Sequence, residues 1–222
     1  RFDLSIEKDT VQDGPYTDFV GIASDLRRNK VKYLNPIKYA VTPSEEDIIL
    51  DIGGKDKTSG SCASLTFAYL ANKAGYRVID FRGGSSQQGF SYNFDSIVKQ
   101  LGGFHERSER ELDASLKMLE NVEEGKEYAF STGRHAAVVR RVDGKLQYLE
   151  LQSYEEDNRW HDLTERELQK RFKCAVKRTA HYGTCCLIEA DKLVANQEFV
   201  SMMGYINTEE DKQKKGEGGG KK

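Results

Sequence analysis

The chain lacks the features that mark several broad classes of protein. Its 222 residues include only 3 Pro, 4 Cys and 1 Trp. No apolar run approaches the about 20 residues that a transmembrane helix needs, so the sequence predicts no membrane span. Four cysteines in a chain of this length do not form the disulfide framework of a small secreted domain.

An excess of one charge is also absent. The 34 Lys and Arg residues are balanced by 36 Asp and Glu residues, which leaves a net charge of −2. Nucleic-acid-binding proteins usually carry a basic excess, so we expect no nucleic-acid partner. A chain of this length buries roughly 70% of its unfolded surface, which is enough for one large domain. The composition therefore indicates an ordinary soluble protein.

Neither a metal site nor a cofactor site is predicted. The cysteines, at positions 62, 174, 185 and 186, do not follow the spacing of zinc ligands. The pair Gly83-Gly84 is not followed by a phosphate-binding fingerprint. Cys185 and Cys186 belong to an apolar, strand-like run, and we interpret them as buried residues.

Cys62 is different, because the pattern places it at the start of a helix. Ser61 can N-cap this helix, residues 63–73 are mostly good helix formers, and Gly75 is suited to ending it in a left-handed turn. The unsatisfied N–H groups of a first helical turn favour a thiolate. We therefore expect a thiol pKa below the free value of about 8.5. The alternative is that Cys62 is a small buried hydrophobic residue.

A hairpin is predicted in the second half of the chain. Asp143-Gly144 separates two strand-like runs, which is typical of a two-residue turn. Such a turn pairs Val142 with Lys145. A bulge at the turn would shift this register by one residue and move every side chain to the other face.

The predicted register brings His135 next to two polar side chains. Counting back along the strands puts His135 directly opposite Gln152, with Glu150 diagonal to it on the same face. Directly opposite Cβ atoms are about 4.5–5.5 Å apart and diagonal ones about 7–8 Å. The alternative is an imidazole that packs at a strand end without a catalytic role.

These residues form the combination that nucleophilic catalysis needs. A thiol nucleophile requires a base within hydrogen-bond reach and a third group that fixes the imidazole tautomer. Cys62 would be the nucleophile and His135 the base. Either Glu150 or Gln152 would orient the imidazole.

The rest of the pattern divides the chain into three parts. We expect a helical N-terminal extension at 1–30, a catalytic domain at 31–206 and a disordered charged tail at 207–222. The chain begins at Arg1 rather than Met, so we expect a processed product or a segment of a longer protein. Its localisation cannot be read from its start.

Smaller elements are predicted around the site. Polar and Gly-rich stretches indicate loops at 51–61 and 82–89, and alternation indicates a strand at 76–81. Two capping boxes, Ser108-x-x-Glu111 and Thr164-x-x-Glu167, are predicted to begin helices.

Three stretches of the chain carry a family resemblance. They are CASLTFAYLANKAGYRV at 62–78, GRHAAVV at 133–139 and DGKLQYLELQ at 143–152. They resemble the papain-like fold toxin domains of bacterial polymorphic toxins and of phage head-morphogenesis (Mu F-like) proteins. The resemblance implies an α+β papain-like cysteine hydrolase fold, with the nucleophile helix packed on an antiparallel sheet.

The chain departs from the family pattern at two positions. Glu150 stands where the family tends to have Asp, so Glu150 or Gln152 would be the third member of the site. No Gln precedes Cys62 to supply the oxyanion-hole side chain of papain. The backbone N–H of Cys62 at the helix start would serve instead, with a second donor that the sequence does not identify.

The resemblance implies a toxin or effector that acts on an amide of a target protein. It would cleave a peptide bond as a protease or deamidate a Gln side chain, and both reactions pass through a thioester. Its partners would be the target protein and either an immunity protein or a larger parent polypeptide. The resemblance also implies secretion, or delivery into a target cell as part of a toxin or phage protein.

Two alternatives remain open at the level of the sequence. One is a catalytically inactive papain-like module that binds or supports a phage particle or a secreted complex. The other is an acyltransferase or transglutaminase-type enzyme, in which an amine rather than water intercepts the thioester.

Overall fold

The computed structural model describes residues 19–28, 31, 33–52, 62–78, 85–153, 155 and 157–206. This part of the chain is α+β, with helices packed on an antiparallel sheet, as the sequence predicts. None of the helices described is long and apolar enough to cross a membrane.

The described strands are β1 (Ile37–Lys38), β2 (Tyr76–Arg77), β3 (Phe104–Ser108), β4 (Glu127–Thr132), β5 (His135–Val142), β6 (Lys145–Leu149), β7 (Trp160–Asp162) and β8 (Gly183–Glu189). Six of them form the main sheet, in the order β3-β8-β4-β5-β6-β7. Each strand pairs antiparallel with its neighbours. A separate pair of short strands, β1 and β2, is also antiparallel.

Helices cover both faces of this sheet. Short 3-10 turns at Phe19–Gly21 and Met203–Tyr205 lie at the two ends of the described chain. The α-helices are α1 (Ile22–Arg28), α2 (Glu45–Ile52), α3 (Cys62–Lys73), α4 (Ser85–Tyr92), α5 (Phe94–Gln100), α6 (Glu111–Leu119), α7 (Glu165–Lys170), α8 (Ala190–Val194) and α9 (Gln197–Met202).

Two hydrophobic cores lie on opposite faces of the sheet. The first core contains α3 and the apolar residues of α1, α5 and α9, which pack on the face that includes Ala136 and Val138. The second core contains α6, α7 and Phe172, which pack on the face that includes Ala137 and Val139. Alternate residues of β5 thus serve different cores, as the period of a strand requires.

Helix α3 forms the centre of the first core. Residues 63–72 are all buried, and the helix ends before Gly75, whose φ of 94° is the left-handed conformation predicted for it. At its C-terminal end, Tyr69 donates a 2.6 Å hydrogen bond to Glu45, and Lys73 lies 3.1 Å from Glu127. These contacts fix the helix against α2 and the start of β4.

The predicted hairpin is confirmed. Asp143 and Gly144 have φ values of 50° and 75°, which is the type I′ turn that suits two-residue hairpins. Val142 pairs with Lys145, so the register is the predicted one. The pairing of β5 with β6 ends at Leu149, before it reaches Glu150 and Gln152.

The first predicted capping box is wrong. Ser108 belongs to strand β3, and its Oγ accepts a 3.0 Å hydrogen bond from the N–H of Arg110, which is the N-cap residue of α6. Glu111 binds the N–H of Ala175 instead of completing a box. The second box is correct at its cap, because Thr164 accepts from the N–H of Glu167.

Two loop predictions are also corrected. Residues 85–92, within and beyond the loop predicted at 82–89, form helix α4, in which Phe90 is buried and Gly89 packs closely on Leu26. Tertiary packing therefore overrides the weak helix propensity of this polar stretch. Asp51 and Ile52 belong to α2, because Ile52 is buried in the first core. The predicted strand at 76–81 is described only at 76–78, and its paired part is Tyr76–Arg77.

Several predictions lie outside the described residues. They concern residues 1–18, the Ser61 cap, the loop at 53–60 and the tail at 207–222. The described part of the N-terminal segment packs with the rest of the chain, because Phe19, Ile22 and Leu26 are members of the first core.

The turn between β4 and β5 is fixed by the segment after α7. Gly133 has a φ of 57°, and a Cβ at this position would clash with the carbonyl oxygen of Phe172. The same carbonyl accepts a 2.7 Å hydrogen bond from the N–H of Arg134. The start of β5 is therefore held by a backbone contact with Phe172, which follows α7 and belongs to the second core.

Replacing this glycine tests that contact. Gly133→Ala should lower the free energy of unfolding by roughly 2–4 kcal/mol, because strain at positive φ adds to the clash. Gly144→Ala is the matched control, since Gly144 has a similar φ and open space around it, and it should cost only about 1 kcal/mol. Urea denaturation measures both, and equal losses would contradict the close approach of Phe172.

Candidate active site

Helix α3 begins with Cys62 next to the first residues of β5. The Cys62 thiol lies close to the backbone N–H groups of Ala63, in its own helix, and of Ala136, in β5. Thr66 donates a 2.8 Å hydrogen bond to the carbonyl oxygen of Cys62 and so stabilises the first turn. The helix thus presents its N-terminal end to the end of the sheet.

The structure brings all four candidate residues to one pocket. This pocket lies between the start of α3, the start of β5 and the end of β6, and its cavity volume of about 10 Å³ is about enough for one water molecule. Its lining consists of the four candidates Cys62, His135, Glu150 and Gln152, together with Leu65, Thr66, Ala136, Leu149 and Leu151.

His135 reaches this pocket from the far face of the sheet. Its ring packs edge-on against Phe172 of the second core, with 5.0 Å between centroids, whereas α3 packs on the other face. The two meet because His135 is the first residue of β5, where the sheet ends. Its buried Nε2 has no hydrogen-bond partner and lies 3.9 Å from Oε2 of Glu150.

Glu150, one of the two candidate orienting residues, lies beside the imidazole. Its Oε2 accepts a hydrogen bond from Nε of Arg171, and its Oε1 accepts from Nη2 of Arg171 at 3.1 Å. Oε1 also accepts a 2.7 Å hydrogen bond from the backbone N–H of Gln152. Burial alone would raise the pKa of Glu150, but the Arg171 hydrogen bond and the nearby charges hold that pKa below its ordinary value.

Gln152 does not pair with His135 across the hairpin. Strand β6 ends at Leu149, so Gln152 lies beyond the paired residues although the register is correct. Gln152 lines the pocket, and its backbone N–H donates a hydrogen bond to Glu150. The contacts of Glu150 with the imidazole and with the backbone of Gln152 support Glu150 as the third group.

The prediction of a low thiol pKa is wrong. Burial raises the pKa of Cys62, and the N–H groups of Ala136 and Ala63 and the charge of Arg171 offset this only in part. Although the residue retains some exposure, its sulfur faces the narrow pocket rather than open solvent. At neutral pH the resting nucleophile is therefore a thiol.

The imidazole is neutral as well. Burial, together with the charge of Arg171, lowers the pKa of His135 to about 3, and Glu150 opposes this shift. The resting site therefore holds an uncharged thiol and an uncharged base beside a charged Glu150–Arg171 pair. A neutral imidazole is the form that can accept a proton.

Sequence reasoning missed Arg171 and Phe172. They directly follow α7, and no motif or periodicity distinguishes them from the charged and apolar residues around them. Only the packing of α7 beneath the hairpin brings them to His135 and Glu150. The Thr164 cap, which begins α7, is the nearest signal in the sequence.

The other three cysteines are buried core residues, as predicted for Cys185 and Cys186. Cys174 and Cys185 share hydrogen bonds with Ser115 in the second core, and Cys186 belongs to the first core. Burial raises the pKa of each of these thiols. Within the described ranges, no group of His, Cys, Asp and Glu residues could hold a metal ion.

The chain matches no protein-family model, no curated protein and no solved structure. The papain-like resemblance therefore remains a prediction. What the structure itself provides is the antiparallel sheet, the helix packed on it and the shared pocket.

The low pKa of His135 makes the stability of the protein depend on pH. The unfolded chain binds a proton near pH 6.5 and the folded chain only near pH 3, so stability is lost as pH falls through this window. Between pH 7 and pH 5 the loss should be up to about 2 kcal/mol. His135→Gln should remove this part of the pH dependence in urea denaturation at the two pH values. An equal loss in both proteins would contradict a buried, neutral His135.

The raised pKa of Cys62 predicts how the thiol reacts. Because the thiolate is the nucleophile, alkylation of Cys62 by iodoacetamide should become about tenfold faster per pH unit from pH 7 to 9. Mass spectrometry of the folded protein measures the rate. Cys62→Ala is the control, and it should take up almost no label because the remaining cysteines are buried. A rate that levels off below pH 8 would contradict the raised pKa.

Proposed function

We propose that the protein is a cysteine hydrolase of papain-like type that acts on an amide of a target protein. The observation that carries this proposal is the shared pocket, in which the thiol of Cys62 and the imidazole of His135 lie beside the ionised Glu150. A nucleophile, a base and an orienting acid are the parts that such a reaction needs.

The neutral states of the thiol and the imidazole determine how the first step proceeds. As the sulfur of Cys62 attacks the amide carbon, the neutral imidazole of His135 takes the thiol proton. Nε2 lies on the side of Glu150, so Nδ1 would be the ring nitrogen that takes the thiol proton. The imidazolium that forms is stabilised by the carboxylate, and a contraction of the 3.9 Å separation by about 1 Å would make a charge-assisted hydrogen bond.

The remaining steps regenerate the site. His135 gives its proton to the departing nitrogen, which leaves as an amine or as ammonia, and Cys62 holds the acyl group as a thioester. Water then attacks the thioester with His135 again as base, which releases a carboxylic acid and the thiol. The N–H groups at the start of α3 are suited to stabilising the oxyanion of both tetrahedral intermediates.

The order of elements agrees with the family resemblance. A helix that begins with the nucleophile precedes a strand that begins with the base, and the acid follows the next strand of the hairpin. The same resemblance supports use as a toxin or effector. Peptide cleavage and Gln deamidation differ only in the leaving group, so both belong to this proposal.

An acyl-transfer assay tests the chemistry without knowledge of the target. With p-nitrophenyl acetate, the wild-type protein should release a burst of about one equivalent of nitrophenol and acquire an acetyl group on Cys62. Cys62→Ala should show no burst. His135→Gln should acylate at least about a hundredfold more slowly, because general-base catalysis is lost. Cys174→Ala, which alters a thiol of the second core, is the control and should retain the burst.

A proteome experiment then identifies the reaction. Target-cell proteins are exposed to wild type or to Cys62→Ala and analysed by mass spectrometry. Gln residues converted to Glu indicate a deamidase, new peptide termini indicate a protease, and incorporated amines indicate a transferase. The absence of both the burst and any change in target proteins would overturn the proposal.

One observation favours a second candidate, an inactive papain-like binding module. The resting thiol of Cys62 is protonated and buried, as in a structural cysteine. This candidate predicts that Cys62→Ala and His135→Gln retain full biological activity, and that the wild-type protein gives no acyl-enzyme.

A further inference from the structure

Arg171 holds the carboxylate that faces the candidate base. The residue directly follows α7, and Nε and Nη2 of its guanidinium donate to the two different oxygens of Glu150. The side chain of Glu150 is 6% exposed and that of Arg171 31% exposed. A planar guanidinium that binds both oxygens of a carboxylate fixes its orientation as well as its charge.

The next residue fixes the imidazole itself. Phe172 packs against the edge of the His135 ring, and its carbonyl accepts the N–H of Arg134 just before that histidine. Two consecutive residues thus hold the two groups whose separation decides whether an imidazolium is stabilised. The ion pair of Arg171 with Glu150 is therefore part of the arrangement that positions the site.

We propose that Arg171 is a positioning residue of the site, whose guanidinium fork directs Oε2 of Glu150 toward Nε2 of His135 and acts on the reaction mainly through Glu150. This inference rests on the proposed cysteine hydrolase. To that proposed enzyme the inference adds Arg171, a residue for which no hydrogen bond to the thiol or to the imidazole is described.

The fork and the charge of Arg171 have separable effects. A lysine would preserve the charge but could not bind both oxygens in one plane. A glutamine would remove the charge and leave Glu150 as a buried, uncompensated carboxylate, which would favour a protonated imidazole. His135 would then no longer be free to accept the thiol proton at mildly acidic pH.

The charged and titratable groups near His135 limit the other sources of a changed pH profile. The charged groups that act on His135 are Glu150 after β6 and Arg171 after α7, and Cys62 from α3 lines the same pocket. Tyr148 lies nearby on β6, and its hydroxyl is bound to Glu167. A change of the pH profile after substitution of Arg171 therefore reports on the Glu150–His135 pair.

The test compares acylation of Cys62 by p-nitrophenyl acetate in four variants from pH 5 to 9. Arg171→Lys should lower the maximal rate about tenfold to a hundredfold without a new acidic limb, because misplacement alone costs this much. Arg171→Gln should lower the rate and add an acidic limb above pH 5. Glu150→Gln should lower the rate without that limb. The double variant Arg171→Gln/Glu150→Gln should be no slower than Glu150→Gln alone.

The matched control is Arg178→Gln, which removes a similar Arg–Glu pair, with Glu109, remote from the pocket. It should leave the rate and the pH profile unchanged. Urea denaturation shows that each variant is folded, and the double variant avoids the unpaired buried charge if Arg171→Gln is unstable. Independent, additive losses from Arg171 and Glu150, or a wild-type rate in Arg171→Lys, would overturn the proposal.

A readout that needs no catalysis separates this inference from the proposed function. In NMR titrations, His135 should not titrate above pH 5 in the wild type and should titrate above pH 5 in Arg171→Gln, with His135→Gln identifying the resonance. If the wild type forms no acyl-enzyme but this shift occurs, the proposed function fails while the coupling of Arg171 to His135 stands. An unchanged His135 titration contradicts the coupling.

Discussion

The contact between the start of α3 and the first residues of β5 is the constraint on which the candidate site depends. Helix α3 is buried along its length, and Ala136 presents a small side chain to it at the end of the sheet. Small residues allow two backbones to approach closely, so the Cys62 thiol comes to lie against the N–H of Ala136. His135 precedes Ala136 in the chain, and the approach of the backbones therefore also brings the imidazole to the pocket.

The second core contributes as much to the site as the first. The thiol comes from the layer of α3, but the imidazole packs on Phe172 and the carboxylate is held by Arg171, both from the opposite layer. The site lies at the end of the sheet because only there can side chains from both faces meet. This position also explains the charge states of the site. The thiol of Cys62 and the imidazole of His135 are buried and therefore neutral. The negative charge of Glu150 is paired with Arg171.

The parts of this arrangement that depend on local chain chemistry could be predicted from the sequence. Gly75 indicated where α3 ends. The Asp143-Gly144 turn predicted the register that places His135 near Glu150. The pKa of Cys62 could not be predicted, because burial by distant segments outweighs the effect of the helix start. Arg171 was missed for the same reason, since its role depends on where α7 packs. Helix α4 and the cap of α6 likewise follow from tertiary contacts rather than from local pattern.

The central claim is that the sulfur of Cys62 and the imidazole of His135, two residues that line one pocket, lie within reach of each other, and a short cross-linker measures this directly. The three-carbon reagent 1,3-dibromoacetone alkylates a thiol first and then a nitrogen within its short reach. In the folded protein it should join Cys62 to His135, and the joined peptides are detected by mass spectrometry after digestion. Alkylation of Cys62 without this link, or a link to another histidine, would contradict the account.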